Sequence, residues 1–275
     1  MVSQSVQDEL RMRFNPDGSD LRKVQLRLLD MLLYIDRICK ENCIDYWLSS
    51  GTLIGAVRHG GFIPWDDDVD VEMMPDGLRR FIKAVELDKT GQYAVHNHSN
   101  DPNYLFAFTK LRDLHTRIEE EKVVPQKLRY EGCSIDIFTM VPSNSRKLHV
   151  FARKCIGKEM TLWRAIAGKT ERQQSLLKGI IDFPIRRIAL PLLTMLSRIN
   201  AGSRLRHTLS APFHAPRRRE DIFPLSKVMF EGHEFPAPGN TDAYLRLIYG
   251  DYTKIPPVDK IHVHAKKIEI YDTDV

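Results

Sequence analysis

Three aspartates spaced two residues apart are the part of this sequence with the clearest chemistry. In an extended segment, Asp66, Asp68 and Asp70 would share one face while Val69 and Val71 point into the core. Three carboxylates on one face are costly without a cation, and Mg²⁺, or Mn²⁺ as an alternative, takes oxygen ligands of this kind. A solvated acidic turn or an adventitious Ca²⁺ loop would also explain three such residues taken alone.

A fourth aspartate lies in a second apolar segment. Asp136 stands between Ile135 and Ile137 in the strand-like stretch 134–140. An aspartate in this position either bonds to local backbone amides or supplies another carboxylate to a shared site. Considered together with the earlier acidic cluster, Asp136 is a candidate general base or metal ligand.

Basic residues accompany both acidic segments. Arg58 and His59 precede the first, and Lys110 and Arg112 alternate with Leu111, so that both would face one side of a strand. Solvated surface charge is the usual role of such side chains. Recognition of a diphosphate needs cationic hydrogen-bond donors, however, so all four are candidate donor-binding residues.

Two pairs of residues give weaker signals. Gly51 and Thr52 open a predicted short helix, and amides at a helix N-terminus can bind a phosphate. His262 and His264 alternate near the C-terminus, but no matching pair of ligands lies nearby. Because paired histidine ligands need partners, we favour a surface role or a role outside the metal shell for them.

Alternating helices and strands are predicted to position these residues. Apolar residues recur at spacings of three and four over residues 21–39, which indicates an amphipathic helix. A strand at 46–48, a short helix at 52–59, an acidic strand at 68–73 and a helix starting at Pro75 follow. Further strands are expected at 93–96, 105–111, 116–120 and 134–140. This order predicts an α/β core.

Composition bounds the class of protein. The chain has 275 residues, of which 43% are hydrophobic and 28% charged, so it can bury a sizeable core and is not disordered. The net charge is +5, so positive charge must concentrate outside the acidic segment. This favours phosphorylated or membrane-surface partners. The absence of a secretory signal or spanning segment predicts a cytoplasmic protein, with the inner face of the cell membrane as a further possibility.

The four cysteines are scattered and indicate no disulfide framework. Cys39 and Cys43 stand one helical turn apart, but no second pair of Cys or His completes a zinc site. We therefore expect both to be buried side chains rather than metal ligands.

Residues 145–219 differ from the rest of the chain in being rich in Arg and Lys. They contain an apolar run at 188–196 with arginines on both sides, which is too short to span a membrane. Packing on the core is the favoured interpretation, and an interfacial helix on anionic headgroups is the alternative. We predict an N-terminal extension (1–20), a catalytic core (21–144), a basic helical insertion (145–219) and a C-terminal part of the catalytic domain (220–275).

Five blocks of the sequence resemble the LicD family of phosphocholine-transferase-like proteins, to which fukutin-type enzymes are related. They are residues 46–70, residues 110–113 with Thr116, SIDIF at 134–138, FEGHEFPAP at 230–238 and YGDYTKIPP at 249–257. Ser50 departs from the Gly that many family members have at that place. The resemblance implies an α/β (α+β) fold, with a nucleotidyltransferase-like mixed sheet flanked by helices and a helical insertion.

The resemblance also implies a transferase that moves a phosphorylated alcohol, phosphocholine being the best-known case, from a CDP-linked donor to a sugar hydroxyl. The acceptor would be a glycan or a lipid-linked glycan, reached through a peripheral membrane contact. A metal on Asp66, Asp68 and Asp70 would bridge the donor diphosphate, and Asp136 or one of the three would accept the hydroxyl proton. An aromatic cage for choline would draw on Trp47, Trp65 and Tyr104.

Two other classes of function are weighed against this one. A nucleotidyltransferase of the same fold would act on a small molecule or a nucleic-acid end and release pyrophosphate. Basic and aromatic residues are not interleaved as in base-stacking proteins, so no nucleic-acid partner is expected. A non-catalytic scaffold is disfavoured because buried, unpaired carboxylates are expensive to retain.

Overall fold

The computed structural model describes residues 2–118, 127–211, 215–257, 261 and 268–271. The α-helices in these ranges are α1 (Gln4–Phe14), α2 (Asp20–Glu41), α3 (Ser50–His59), α4 (Pro75–Leu87), α5 (Arg146–Ile166), α6 (Glu171–Asp182), α7 (Leu190–Arg198), α8 (Arg219–Ile222) and α9 (Thr241–Tyr249). The strands are β1 (Tyr46–Leu48), β2 (Asp70–Met73), β3 (Tyr93–His96), β4 (Thr109–Asp113), β5 (Thr116–Ile118), β6 (Ser134–Pro142), β7 (Arg204–His207), β8 (Arg217–Arg218), β9 (Ser226–Phe230), β10 (His233–Ala237) and β11 (Ile268–Ile270).

A mixed sheet forms the centre of the protein. Its order is β1-β2-β6-β4-β3, and β2 runs parallel to β6 while the other neighbours are antiparallel. The nine-residue β6 extends past β2, so its last residues pair with β7, which in turn pairs with β8. Two short sheets, β9 with β10 and β5 with β11, complete the strands of the described residues. The predicted α/β (α+β) fold, a mixed sheet with flanking helices, is thus confirmed.

Helix α2 shows how the apolar spacing produces this layer of helices. The Ser19 side chain caps its first turn by accepting from the amide of Arg22 at 3.2 Å. Leu28, Leu32 and Ile35 recur at helical spacing, are buried, and belong to the main core. The predicted helix over 21–39 is therefore confirmed, with one residue more at its start and two more at its end.

The acidic strand is shorter than predicted. Strand β2 begins at Asp70, and Asp66 and Asp68 lie in the loop before it. The Asp66 amide donates to the carbonyl of Ile63 at 2.9 Å, closing a turn, and Gln25 of α2 donates to the Asp66 carbonyl at 2.8 Å. A turn therefore closes at residue 66, and the strand predicted from residue 68 begins two residues later than predicted.

Two other expectations from the sequence need correction. The strand predicted at 105–111 starts only at Thr109, because Leu105 instead packs against Trp163 in a small separate cluster. Cys43 is exposed and has a positive φ of 51°, while Cys39 is buried in the main core, so only one of the two is an interior side chain. Of the strand predicted at 116–120, residues 119 and 120 lie outside the described residues.

The β9–β10 hairpin braces the loop that leads to the acidic segment. Glu231 accepts from Arg22 of α2 at 2.7 Å and from the amide of Phe62 at 3.1 Å. A Cβ at position 61 would lie 2.2 Å from a Glu231 oxygen, so the carboxylate reaches this loop only because Gly61 has no side chain. The FEGHEFPAP block therefore has a structural role beside the site.

Helices α5 to α7 form the part of the chain rich in basic residues. A π-helical segment, Phe183–Ala189, joins α6 to α7. Leu193 of α7 is buried against Ala152 and Leu209, but Ile188 and Leu192 are exposed. The prediction that the apolar run 188–196 packs on the core is therefore right for one side of the helix and wrong for the other. Within the described ranges, no helix combines the length and the apolar character needed to cross a membrane.

Candidate active site

A row of functional side chains crosses three strands of the sheet. Asp70 of β2 is in register with Asp136 of β6, which is in register with Lys110 of β4. Residues in register on neighbouring strands project from the same face of a sheet. The Lys110 ammonium donates to the Asp136 carboxylate and, at 3.3 Å, to the hydroxyl of Ser134. The fold thus brings together three residues that are up to 66 positions apart in the sequence.

The loop before β2 adds two carboxylates to this row. The side chains of Asp66 and Asp68 are hydrogen-bonded, and burial followed by the charge of Asp68 raises the pKa of Asp66 well above its usual value. Burial also raises the pKa of Asp70, with added contributions from the charges of Asp68, Asp136 and Asp66. The predicted acidic cluster therefore exists, but a turn assembles it rather than the alternation of one strand.

The chemistry of this donor set fits a hard divalent cation. Mg²⁺ and Mn²⁺ prefer carboxylate oxygens, and a cation would relieve the mutual repulsion that raises the pKa of Asp66 and Asp70. As the side chains stand, no three carboxylate, imidazole or thiol groups of the described residues are arranged to hold a metal ion. A magnesium site on Asp66, Asp68 and Asp70 stays a prediction.

Gly51 and Thr52 hold the aspartates in place. The Thr52 hydroxyl accepts from the amide of Asp70 at 2.8 Å. A Cβ at position 51 would lie 2.7 Å from an Asp66 carboxylate oxygen, so the missing side chain of Gly51 makes room for that carboxylate. Ser49 precedes α3 without a side-chain capping bond, and binding of a phosphate by the first amides of the helix stays a prediction.

Ser50 and Tyr249 are site residues that the sequence interpretation missed. Ser50 has a φ of 49°, in the left-handed region that favours glycine, and its side chain is hydrogen-bonded to both Asp70 and Tyr249. Tyr249 is the last residue of α9. Its presence in the YGDYTKIPP block was the available signal.

Arg58 and His59 lie at the end of α3 and bind other parts of the protein. One Arg58 nitrogen donates to the carbonyls of Tyr252 and Lys254, both at 3.0 Å, and Arg58 Nε donates to His59 Nε2 at 2.9 Å. The other His59 nitrogen lies 2.5 Å from the side-chain oxygen of Gln7. Burial, with the charge of Arg58, lowers the pKa of His59 to about 4, so its ring is neutral at pH 7. Donor binding by either residue stays a prediction.

Arg112 shares the face of Lys110, as strand alternation predicts, but it is fully buried. Its guanidinium donates to the carbonyl of Gly132 at 2.7 Å and to His96 at 3.4 Å. Its observed partners are therefore structural, and a role in donor binding remains untested. The predicted positions His262 and His264 lie outside the described residues.

The three aromatic residues considered for a choline cage do not form one together. Trp47 and Tyr104 are completely buried. Trp65 is partly exposed and packs edge-on against Phe14 of α1, with ring centroids 5.5 Å apart. Of the three, only Trp65 is accessible to a ligand.

A buried polar network, also missed from the sequence, lies two residues beyond Asp70. Glu72 of β2 accepts hydrogen bonds from four donors: Trp47 at 2.8 Å, Tyr244 at 2.8 Å, His207 at 2.7 Å and Arg217 at 3.0 Å. Although complete burial opposes ionisation, Arg217 and the other donors lower the pKa of Glu72 to about 2. The network joins β2 to β7, β8 and α9, and so fixes the strand that carries Asp70.

A family model described as LicD/FKTN/FKRP, nucleotidyltransferase domain, matches residues 43–188, which is more than half of the chain. The protein belongs to the LicD family. The matched range contains β1, α3, β2, β4 and β6, and therefore every strand of the cross-strand row.

Comparison with individual proteins gives the same result. Over 269 residues the chain is 28% identical to lipopolysaccharide cholinephosphotransferase LicD of Haemophilus influenzae, covering 89% of this chain and 95% of that protein. A 38-residue stretch is 47% identical to human ribitol 5-phosphate transferase FKRP, covering 14% of this chain and 8% of that protein. A 62-residue stretch is 40% identical to mannosyltransferase regulator 4 of Saccharomyces cerevisiae, covering 22% of this chain and 5% of that protein. The protein is an enzyme of the phosphotransferase class.

Proposed function

We propose that this enzyme transfers phosphocholine from CDP-choline to a sugar hydroxyl of a cell-surface glycan precursor, with Mg²⁺, or alternatively Mn²⁺, as its cofactor. The observation that carries the proposal is the row of Asp70, Asp136 and Lys110 with Asp66 and Asp68 beside it. The similarity to the cholinephosphotransferase of Haemophilus influenzae along nearly the whole chain supports phosphocholine as the group and a lipopolysaccharide-type glycan as the acceptor.

The metal, when bound by Asp66, Asp68 and Asp70, would supply charge neutralisation for the donor diphosphate. In the reaction, the acceptor oxygen forms a bond to the phosphorus that carries choline. The bond from that phosphorus to the bridging oxygen breaks, and CMP leaves with the electron pair. A carboxylate of the site takes the proton of the hydroxyl, so that atoms and charges balance.

Asp136 is our candidate for the proton acceptor. It lies beside Asp70 in the row, and the Lys110 ammonium bonds to it and so offsets the negative charge of the neighbouring carboxylates. A fixed carboxylate within reach of the acceptor is what general-base catalysis needs. One of the three loop and strand aspartates is the alternative acceptor, if Lys110 keeps its bond to Asp136 throughout the reaction.

Lys110 would have a second role toward the donor. Its ammonium is partly buried, lies 5.5 Å from the centre of the Phe108 ring, and sits at the end of the acidic row. A lysine in this place can offer its remaining hydrogen to a phosphate oxygen while it orients Asp136. Gly51 and Thr52 would contribute backbone amides at the start of α3, as the sequence predicts.

The alternative function is nucleotidyl transfer. The matched family model is described by a nucleotidyltransferase domain, and the acidic row would serve that chemistry as well. A nucleotidyltransferase would use a nucleoside triphosphate and release pyrophosphate, acting on a small molecule or a nucleic-acid end. The two functions therefore differ in the donor that the free enzyme binds.

A thermal-shift screen of the purified protein tests the proposal. CDP-choline, CDP-ethanolamine, CDP-glycerol, CDP-ribitol and CTP are each added with and without Mg²⁺. A ligand at about one hundred times its Kd stabilises a protein by about 2.7 kcal/mol, which corresponds to a shift of roughly 5 °C in Tm. We expect this shift with CDP-choline and only when Mg²⁺ is present.

Asp70→Asn and Asp76→Asn serve as the matched pair of variants. Asp76 is an exposed aspartate of α4 that bonds to Arg79, so its replacement leaves the site intact. The shift should disappear in Asp70→Asn and persist in Asp76→Asn. A response to CTP alone would favour nucleotidyl transfer, and a response to a different CDP-alcohol would replace choline as the transferred group. No response to any of the compounds would contradict both functions.

A further inference from the structure

The continuous helix formed by α6, the π-helical segment and α7 exposes a long row of large apolar side chains. Each is between 50% and 70% exposed. They are Leu176, Ile180, Phe183, Ile188, Leu192 and Met195. We call them the apolar ridge. Exposed apolar side chains scattered singly are normal, but a contiguous set of this length indicates a surface that contacts something other than water.

The spacing places the whole ridge on one side of the helix. Successive members in α6 and α7 are three or four residues apart, which keeps them on one face of an α-helix. Across the π-helical segment, Phe183 and Ile188 are five residues apart, which matches the wider repeat of a π-helix. The π-helical segment therefore keeps the ridge aligned between α6 and α7.

The opposite side of the same helix is the one that packs on the protein. Leu193 is buried against Ala152 of α5 and Leu209, and Ile181 packs against Trp163. Arg186 donates to the Leu105 carbonyl at 3.3 Å, and so connects the helix to the chain that leads into β4. Since the helix is already anchored on that side, the ridge is not needed for its attachment.

Charge indicates the kind of partner. Residues 145–199 contain twelve Lys and Arg but only three Asp and Glu. Glu159 is buried in a bond to Arg186, and Asp182 accepts from the indole of Trp163 at 2.8 Å, so two of these acids are engaged inside the protein. A surface with this excess of positive charge is complementary to an anionic partner.

Exposed arginines flank the ridge along its length. Arg172 lies one helical turn before its first member, Arg187 stands beside Ile188, and Arg198 follows Met195 by three residues. Apolar side chains bordered by arginines are the pattern of helices that lie in the plane of a membrane interface. We propose that the apolar ridge docks on an anionic lipid bilayer, with these arginines on the headgroups. This inference does not depend on which group the enzyme transfers.

Co-sedimentation of the full-length protein with vesicles tests the proposal. One set of vesicles contains phosphatidylcholine alone, and the other contains phosphatidylcholine with phosphatidylglycerol. We expect binding to the second set, weakened by added salt because the attraction of charged headgroups is screened. Replacing Arg172, Arg187 and Arg198 by Glu should lower the partition coefficient by at least about a hundredfold, since each removed positive charge accounts for roughly fivefold and the three added negative charges act in the same direction.

A second variant tests the apolar part. Ile180→Asp with Leu192→Asp should lower binding by at least tenfold, because two exposed apolar side chains would no longer enter the interface. The matched controls are Leu87→Asp, at an apolar residue of α4 that is 69% exposed, and Lys83→Glu with Lys89→Glu, at exposed lysines of α4 and of the turn that follows it. Neither control should change binding, and unfolding curves should show all variants to be folded.

Three outcomes would overturn the proposal. The first is failure of the wild-type protein to bind anionic vesicles, and the second is equal binding by the wild type and the ridge variants. The third is a dimer of the wild-type protein in sedimentation velocity that Ile180→Asp with Leu192→Asp dissociates, because the ridge would then contact a second copy. All three readouts are independent of enzyme turnover, so a wrong donor assignment would leave them unchanged.

Discussion

Asp70 and Glu72 lie two residues apart on the same face of β2, and both carboxylates are buried, yet their surroundings are opposite. Glu72 is bonded to Arg217, His207, Tyr244 and Trp47, and its pKa is lowered to about 2. Asp70 is surrounded by Asp66, Asp68 and Asp136, and its pKa is raised. The donors around Glu72 make it a structural anchor, whereas the acidic surroundings of Asp70 favour the binding of a cation there.

This difference explains why the two residues serve the site in different ways. The four donors around Glu72 leave its oxygens little capacity for a ligand, and they connect β2 to β7, β8 and α9. Asp70 is therefore held on a strand whose position is fixed by the hydrogen bonds of Glu72. Among the described partners of Asp70, no cation offsets its charge. A rigid strand that presents an uncompensated carboxylate is suited to bind a cation with its substrate.

The largest expected effect comes from removing the anchor. Glu72→Ala leaves the buried Arg217 without its carboxylate and deprives His207 and Tyr244 of their acceptor. Breaking a buried ion pair from one side costs about 3–5 kcal/mol, and we expect a loss of that size in the free energy of unfolding in urea. As a control, Glu234→Ala removes an exposed glutamate paired with Lys227 and should cost at most about 1 kcal/mol. If the free energy of unfolding fell no further in Glu72→Ala than in the control, Glu72 would not be a structural anchor.

Asp70→Asn should show the reverse behaviour. Neutralising Asp70 relieves repulsion from Asp68 and Asp136, so the free energy of unfolding should stay the same or rise. Turnover, measured as CMP release from the donor, should fall by about 10²–10³-fold, the usual effect of losing a key electrostatic group. Asp76→Asn is again the control, because that aspartate is exposed and bonds to Arg79. Normal CMP release by Asp70→Asn would remove Asp70 from the active site.

Ser50 offers a finer test of what supports Asp70. Its side chain bonds to Asp70 and Tyr249 from a left-handed backbone conformation, where a non-glycine residue costs about 1–2 kcal/mol. Ser50→Ala keeps that strain and loses the hydrogen bonds, whereas Ser50→Gly loses both. We therefore expect Ser50→Gly to be more stable than Ser50→Ala by about 1 kcal/mol in urea unfolding. Equal stability of the two variants would show that the backbone conformation at this position carries no strain.

The acidic row was largely predictable from the sequence, because aspartates in two apolar segments indicate two strands that supply carboxylates to one shared site. Asp136 lies on a strand, as its apolar neighbours predict, and Lys110 lies on the strand beside it. The manner in which Asp66 and Asp68 reach the row was not predictable, since the turn depends on Gln25 of α2, which is 41 residues away from Asp66. The alternation of side chains along a strand carries no information about a hydrogen bond from a residue so distant in sequence.

Partners that are distant in sequence also explain the missed residues. His207, Arg217 and Tyr244 are separated from Glu72 by 135, 145 and 172 residues, so no local pattern links them. The two carbonyls that Arg58 binds, more than 190 residues further on, are equally invisible from the sequence, while its predicted role in donor binding stays a prediction. Charge at a motif position indicates that a residue is important, but only the fold shows whether its partner is a ligand or the protein.

Glu159 of α5 is an intermediate case between Glu72 and Asp70, because its buried carboxylate contacts both a cation and another acid. Arg186 donates to it at 2.7 and 3.0 Å. Burial, together with a hydrogen bond to Asp182, nevertheless raises its pKa from 4.5 to about 7. A single arginine therefore does not offset burial when a second carboxylate is in contact, whereas the four donors of Glu72 do.

This raised pKa predicts a small dependence of stability on pH. Between about pH 4.5 and 7 the folded protein holds a proton on Glu159 that the unfolded chain releases, so the free energy of unfolding falls as the pH rises through that window. Glu159→Gln cannot ionise, and the advantage of the wild type over this variant should therefore shrink from acid to neutral pH in urea unfolding. If the two curves of free energy against pH run parallel, the folded and unfolded states bind protons at Glu159 equally, and contact with Asp182 and burial would not outweigh Arg186.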